Sequence, residues 1–149
     1  MLIWGSLLLI TCHLVFAFVL PATHSSLLAY ATILLLGISF ALVPAALWPS
    51  VPKIIDEKVL GSAYCLIFWV QNFGLCFVPM LIGNLLTSTN AHNPAVIAAR
   101  EAGSEFIPYD YTIPLIVFAC FGVLALVFAL YLKVLDKKKG FGLEQPNIK

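Results

Sequence analysis

Charged side chains are scarce in this sequence. Only 10% of its 149 residues are Asp, Glu, Lys or Arg, and 62% are hydrophobic, whereas a soluble domain carries about 25% charged residues. Positions 1–52, 59–99 and 111–132 hold no charged residue at all. A soluble domain of this length cannot hide so much apolar surface, because its area-to-volume ratio leaves a large wet exterior. A net charge of +1 excludes a basic stripe for nucleic acid and charge-driven disorder. Cysteine is sparse as well. Cys12, Cys65, Cys76 and Cys120 fall in apolar stretches without paired or metal-ligand spacing, which leaves them as small packing residues. Gly-rich phosphate loops, Ser-His-Asp sets and paired carboxylates are absent, so no enzyme, cofactor or metal site is expected.

What is present is four apolar blocks, at about 2–20, 27–48, 60–86 and 112–132. A bilayer core about 30 Å thick needs roughly 20 helical residues, because no backbone polar group stays unpaired in lipid. Strands of a barrel would read in dyads of about ten residues; these blocks are continuous and longer. The expected fold is therefore all-α, an integral membrane protein with four transmembrane helices. Residues 1–22 do not read as a signal peptide, since no Lys or Arg precedes Leu2 and the apolar run is too long. The polar turn 21–26 separates the first two blocks, and Pro49 is expected to end the second.

The few charges define sidedness. With four spans, the N-terminus, the 49–59 loop and the tail share one side, which holds Lys53, Lys58, Lys133, Lys137, Lys138, Lys139 and Lys149. The other side holds only Arg100. The positive-inside rule then places both termini in the cytoplasm, with residues 136–149 as a cytoplasmic tail. Lys137, Lys138 and Lys139 serve as a topology anchor or meet anionic head groups. In the 87–111 loop, Asn93 before Pro94 and a later Gly103 predict a short surface helix over 94–102. Tyr109, Asp110 and Tyr111 form an aromatic belt at the start of the fourth span. Asp56 and Glu57 are solvated charges or a cap for the third helix.

No Asp, Glu, Lys or Arg lies inside a span, which argues against a small four-helix, proton-coupled exporter. His13, flanked by Thr11 and Cys12, is expected in an interhelical hydrogen bond rather than as a proton site. The densest polar chemistry is in the third block. Ser62, Cys65, Trp69, Asn72 and Cys76 fall on one helical stripe, and Tyr64, Phe68, Gln71 and Leu75 on its neighbour. Gln71 and Asn72 near mid-span need a partner, because an unsatisfied buried amide costs several kcal/mol by transfer measures. They either line a wet cavity for a polar organic molecule or hold helices together. Gly37, Ser39, Pro44 and Trp48 in the second block, with Pro79 and Gly83 in the third, permit close packing or a kink beside a cavity.

The segments Ala45-Ala46-Leu47-Trp48-Pro49, Glu57-Lys58-Val59-Leu60-Gly61-Ser62-Ala63-Tyr64 and Gln71-Asn72-Phe73-Gly74-Leu75 resemble the tenth and eleventh helices of the major facilitator superfamily. The similarity is to the branch of the lysosomal dipeptide transporter and its bacterial relatives. The ending from Asp136 through Lys139 to Glu144 resembles tails of Bacteroidetes members. Asp56, where relatives usually carry proline, and Cys65, where glycine is usual, are departures. The resemblance implies helices nine to twelve of a twelve-helix bundle, a partial C-terminal transmembrane domain over 1–135. It implies that the second and third spans border the central path, with the first and fourth as supports. The substrate-cavity candidates are Trp48, Trp69, Gln71, Asn72, Ser39 and Tyr64.

The expected function is that of a C-terminal transporter segment, secondary active or facilitative, moving a small polar organic solute such as a dipeptide by alternating access. Its expected partners are the lipid bilayer, the missing N-terminal helices or another copy, and the solute; nucleic acid is not among them. A bacterial inner membrane is the expected location, or a lysosomal membrane if the source is eukaryotic. The alternative is a stand-alone four-helix membrane subunit or assembly protein without transport activity.

Overall fold

The computed structural model describes residues 1–143 and 145. Among these residues no strand occurs, and four helices are long and apolar enough to cross a membrane. The first, Leu2–Thr23, comprises α1 (Leu2–Leu14), a π-helical turn at Val15–Val19 and α2 (Leu20–Thr23). The second is α3 (Ser26–Ile54). A 3-10 turn at Glu57–Val59 leads into the third, α4 (Leu60–Thr89). The short α5 (Pro94–Glu101) precedes the fourth, α6 (Thr112–Lys139). Glu144, Lys149 and the other residues at 146–148 lie outside the described residues, so the last lysine of the sidedness count does too.

Local chemistry explains most boundaries. The first span continues to Thr23, through Pro21, so the expected polar turn shrinks to His24 and Ser25. His24 takes a left-handed conformation (φ 49°), and the Ser25 hydroxyl accepts from the Leu28 N–H at 3.4 Å to start α3. Asp56 likewise accepts from the Lys58 N–H at 3.0 Å and caps the turn before α4. In α5, Asn93 accepts from the Ala95 N–H at 3.1 Å, and Gly103 follows the helix with φ 63°. The last turn of α6 carries Lys137, Lys138 and Lys139, which complement the negative helix end. Gly140 then ends the helix in the left-handed region, its N–H donating to the Asp136 carbonyl at 2.8 Å.

The second span does not stop at Pro49. α3 runs through Pro44, Pro49 and Pro52 to Ile54. Proline's fixed φ is compatible with a helix; its cost is a missing donor and a crowded carbonyl four residues back. At about 1.5 Å per residue, 29 residues reach about 44 Å, beyond a core about 30 Å thick. Part of α3 therefore extends past the apolar layer, and its last turn carries the charged Lys53.

α1 is the hub, packed against both α3 and α6. Small residues let it approach. A Cβ added at Gly5 would lie 3.4 Å from Leu42 Cβ, and the Ser39 hydroxyl donates to the Gly5 carbonyl at 2.7 Å. A Cβ at Gly122 of α6 would lie 2.7 Å from Ile10 Cγ1. Such close contacts hold helices together in lipid, where burial of apolar surface gives no drive. The first and fourth spans, expected as supports, thus form the packed core with α3. By contrast, α4 touches α3 and α6 sparingly, and none of its residues is buried.

Two packing expectations change. His13 is buried, but its Nδ1 hydrogen-bonds the Leu9 carbonyl of its own helix at 2.7 Å. Its contact with α6 is a ring contact with Phe118, centroids 5.3 Å apart, rather than the expected interhelical hydrogen bond. An i−4 carbonyl is always within reach of a helical side chain, whereas a neighbouring helix offers few free acceptors. Among the cysteines only Cys12 is buried; Cys65, Cys76 and Cys120 are exposed, so the packing role holds for Cys12 alone.

Candidate functional site

The junction of α3 and α4 is built around a missing donor. Pro52 has no N–H, so the carbonyl of Trp48, four residues earlier, loses its helical partner. The Tyr64 hydroxyl on α4 donates to that carbonyl at 3.2 Å. The Trp48 ring lies 5.6 Å from the Tyr64 ring and 5.0 Å from that of Phe68. Tyr64 and Phe68 are one helical turn apart, so both meet the same indole. Trp48 and Tyr64 are half-buried here.

One turn further along the same stripe stands Gln71. It is exposed, and its side chain makes no hydrogen bond to any described residue. Asn72 is exposed too, but its Nδ2 donates to the Phe68 carbonyl of its own helix at 2.8 Å, leaving Oδ1 open. Neither amide bonds another described helix. A second aromatic set runs along α4 at four-residue spacing: Trp69 packs edge-on against Phe73 at 4.5 Å, and Phe73 stacks on Phe77 at 5.6 Å. Trp69 is 60% exposed.

The sequence-derived candidates therefore divide. Trp48 and Tyr64 come together directly. Gln71 continues their stripe, while Trp69 and Asn72 belong to the adjacent one. Trp48 and Trp69 sit in separate aromatic sets. Ser39 does not belong with them: it is fully buried, and its hydroxyl is used on the Gly5 carbonyl between α1 and α3. A small hydroxyl at a close helix crossing is drawn to the facing backbone, which removes it from any open surface. Phe73 and Phe77 were not among the candidates, although the Trp69-x3-Phe73-x3-Phe77 spacing was readable as a helical ladder.

At the opposite end of the molecule a second polar structure organises the 91–111 loop. Asn90 is 1% exposed; its Nδ2 donates to the Asp110 carbonyl at 2.9 Å and its Oδ1 accepts from the Asp110 N–H at 2.8 Å. Arg100 donates to the Tyr109 hydroxyl at 3.0 Å. Hydrogen bonds from the Thr112 side chain and backbone hold the Asp110 carboxyl below the usual carboxylate range. Hydropathy carries no trace of this arrangement, because it pairs residues 20 apart.

Trp48 of α3 with Tyr64, Phe68, Trp69, Gln71 and Asn72 of α4 offer indole and phenyl surfaces beside two exposed amides, and none of these six side chains is charged. Such a set can take a cation on an aromatic face and exchange hydrogen bonds with an amide-bearing solute. Fold and face together define a polytopic α-helical membrane protein. A 54-residue segment is 44% identical to the lysosomal dipeptide transporter MFSD1 of Mus musculus, covering 36% of this chain and 12% of that protein. The Homo sapiens protein of the same name is 41% identical over 54 residues, with the same coverage. That of Danio rerio is 40% identical over 52 residues, 35% of this chain and 11% of the relative. Over this segment the chain is similar to these transporters. The match thus spans only about an eighth of the relatives' length. No family model matches the chain, and no solved structure matches it significantly.

Proposed function

We propose that this chain forms part of the C-terminal half of a transporter that moves a small polar solute of the dipeptide type. The observation that carries this is the open face of α4, which has no buried residue yet bears Trp69, Gln71 and Asn72; the segment similarity to dipeptide transporters supports the solute class. Trp48 or Trp69 holds the solute's amine by cation–π contact, and Gln71 and Asn72 hydrogen-bond its peptide group. Helices supplied from elsewhere in the polypeptide, or by another copy, close the path opposite α3 and α4. Alternating access rocks the two sides around the mid-span residues Trp69, Gln71 and Asn72, with Trp48 toward the end of the path. Both ends lie on the cytoplasmic side, following the lysines, in a bacterial inner membrane or, for a eukaryotic source, a lysosomal one.

Uptake of labelled dipeptide by cells expressing the complete polypeptide that carries these residues tests the reading. Gln71→Leu should raise the half-saturating concentration by about tenfold, the worth of one well-placed hydrogen bond to a solute, with unchanged membrane abundance. Unchanged affinity in both Gln71→Leu and Asn72→Leu would reduce the amides to helix contacts. One copy of the 149 residues forms one wall, so liposomes holding only this chain should show no uptake; dipeptide accumulation there would overturn closure by other helices of the polypeptide in favour of closure by a second copy.

A further inference from the structure

The lysine-bearing end of the bundle encloses a feature that the proposed transport path does not use. A cavity of about 510 Å³ opens between the ends of α1, α3 and α6. Its walls include Ala46 and Pro49 of α3 and Ala129 and Leu132 of α6, all apolar; Lys53, Lys133 and Asp136 are its charged lining residues. The tail closes over Lys53 and Asp136. Left-handed glycines at 140 and 142 turn the chain back (φ 68° and 67°), and the Leu143 N–H donates to the Asp136 carboxylate at 3.2 Å. Lys53 Nζ donates to the Gly142 carbonyl at 3.0 Å and also to that of Gln145.

Two carbonyls orient an ammonium without neutralising it. Among the described residues Lys53 donates only to these neutral oxygens, while the nearby Asp136 carboxylate accepts a backbone N–H. A half-buried positive charge thus stands at the mouth of an apolar cavity, with Lys137, Lys138 and Lys139 on the adjoining last turn of α6. The volume lies within the range of about 300–1,000 Å³ usual for small-molecule sites. It admits a glycerophosphate head and the first carbons of its chains, with the remainder running along the helices. We infer that this cavity seats the head group of an anionic phospholipid, with Lys53 as its anchor. Basic pockets between membrane helices bind such head groups, and the walls here come from membrane-spanning segments, which favours a lipid over a water-soluble anion.

The test is native mass spectrometry of the purified chain in detergent, titrated with dioleoyl phosphatidylglycerol or dioleoyl phosphatidylcholine. The glycerol lipid should stay bound at one per chain and the choline lipid should not. Lys53→Gln should weaken retention about tenfold, and Lys58→Gln, an exposed loop charge off the cavity, should leave it unchanged. Ala46→Trp, which fills the cavity, should abolish retention with helicity preserved by circular dichroism. Equal weakening by the two lysine variants would overturn the site in favour of diffuse surface attraction. Equal binding of the choline lipid, or displacement by glycerol 1-phosphate at millimolar concentration, would also overturn it. If Lys53→Gln fails to fold, Ala46→Trp decides alone: a lipid still held with the cavity filled refutes the assignment.

Discussion

Asn90 shows how much one side chain can organise. Its amide reproduces a two-bond backbone pairing with Asp110 and also donates to the Leu86 carbonyl at 2.9 Å, all while fully buried. Asn90→Ala would remove both bonds to Asp110, costing about 1–3 kcal/mol at roughly 0.5–1.5 kcal/mol for each bond. Amide hydrogen exchange at Asp110 and limited proteolysis within 91–111 should both accelerate, while exchange in α1 stays unchanged. Asp110 itself brings a pH dependence. Its carboxyl is held below the usual range by Thr112, so the unfolded loop binds the proton more tightly than the folded one. The stabilisation is complete above the ordinary carboxylate pKa and is lost as pH falls through the lower folded value. Protection of the Thr112 amide, its exchange rate measured against the intrinsic rate at the same pH, should therefore fall on acidification through that window, and Asp110→Asn should flatten the response.

At the scale of elements, the coupling between α3 and α4 depends on a proline. Tyr64 serves the Trp48 carbonyl because Pro52 cannot. Tyr64→Phe keeps the ring contacts and should cost about 1 kcal/mol, the net value of one hydrogen bond. In a Pro52→Ala background the new N–H takes the Trp48 carbonyl, so the same Tyr64→Phe change should cost close to nothing. A double-mutant cycle by thermal unfolding in detergent measures the difference; equal costs in the two backgrounds would dissociate Tyr64 from the proline. The pairing was half legible beforehand, since the proline and the i−4 rule name the orphan carbonyl. Which helix supplies the donor was not, because that depends on how α4 is rotated about its own axis.

For the whole molecule, the packed trio of α1, α3 and α6 contrasts with α4, whose aromatic and amide residues remain uncovered. The sidedness proposed from the lysines can be read chemically. A cysteine placed at Lys139 should react with a membrane-impermeant maleimide only after vesicles are opened, and one at Ser104 should react in intact right-side-out vesicles. The reverse pattern would place the termini outside. The native cysteines leave the contrast readable, since all four sit within the membrane-spanning helices.

The number of long apolar helices followed from the sequence alone, because apolar run length and the placing of charge are set by the bilayer rather than by neighbours; the ends did not, since α3 runs on to Ile54 and α6 to Lys139, past the apolar blocks that end at Trp48 and Leu132. The α5 caps were equally visible, since Asn93, Pro94 and Gly103 act within one turn of the backbone. Tertiary structure decided what the polar residues do. Ser39 went to a helix crossing, His13 to its own carbonyl and a ring, Asn90 to a loop, and Lys53 to the folded-back tail. Each outcome depends on a partner distant in sequence, except that of His13, where the helix itself outcompeted its neighbour. The sparse charges that first marked out the membrane acquire a second meaning at Lys53. Its ammonium is met by neutral carbonyls at the mouth of an apolar cavity, an arrangement only the fold could assemble.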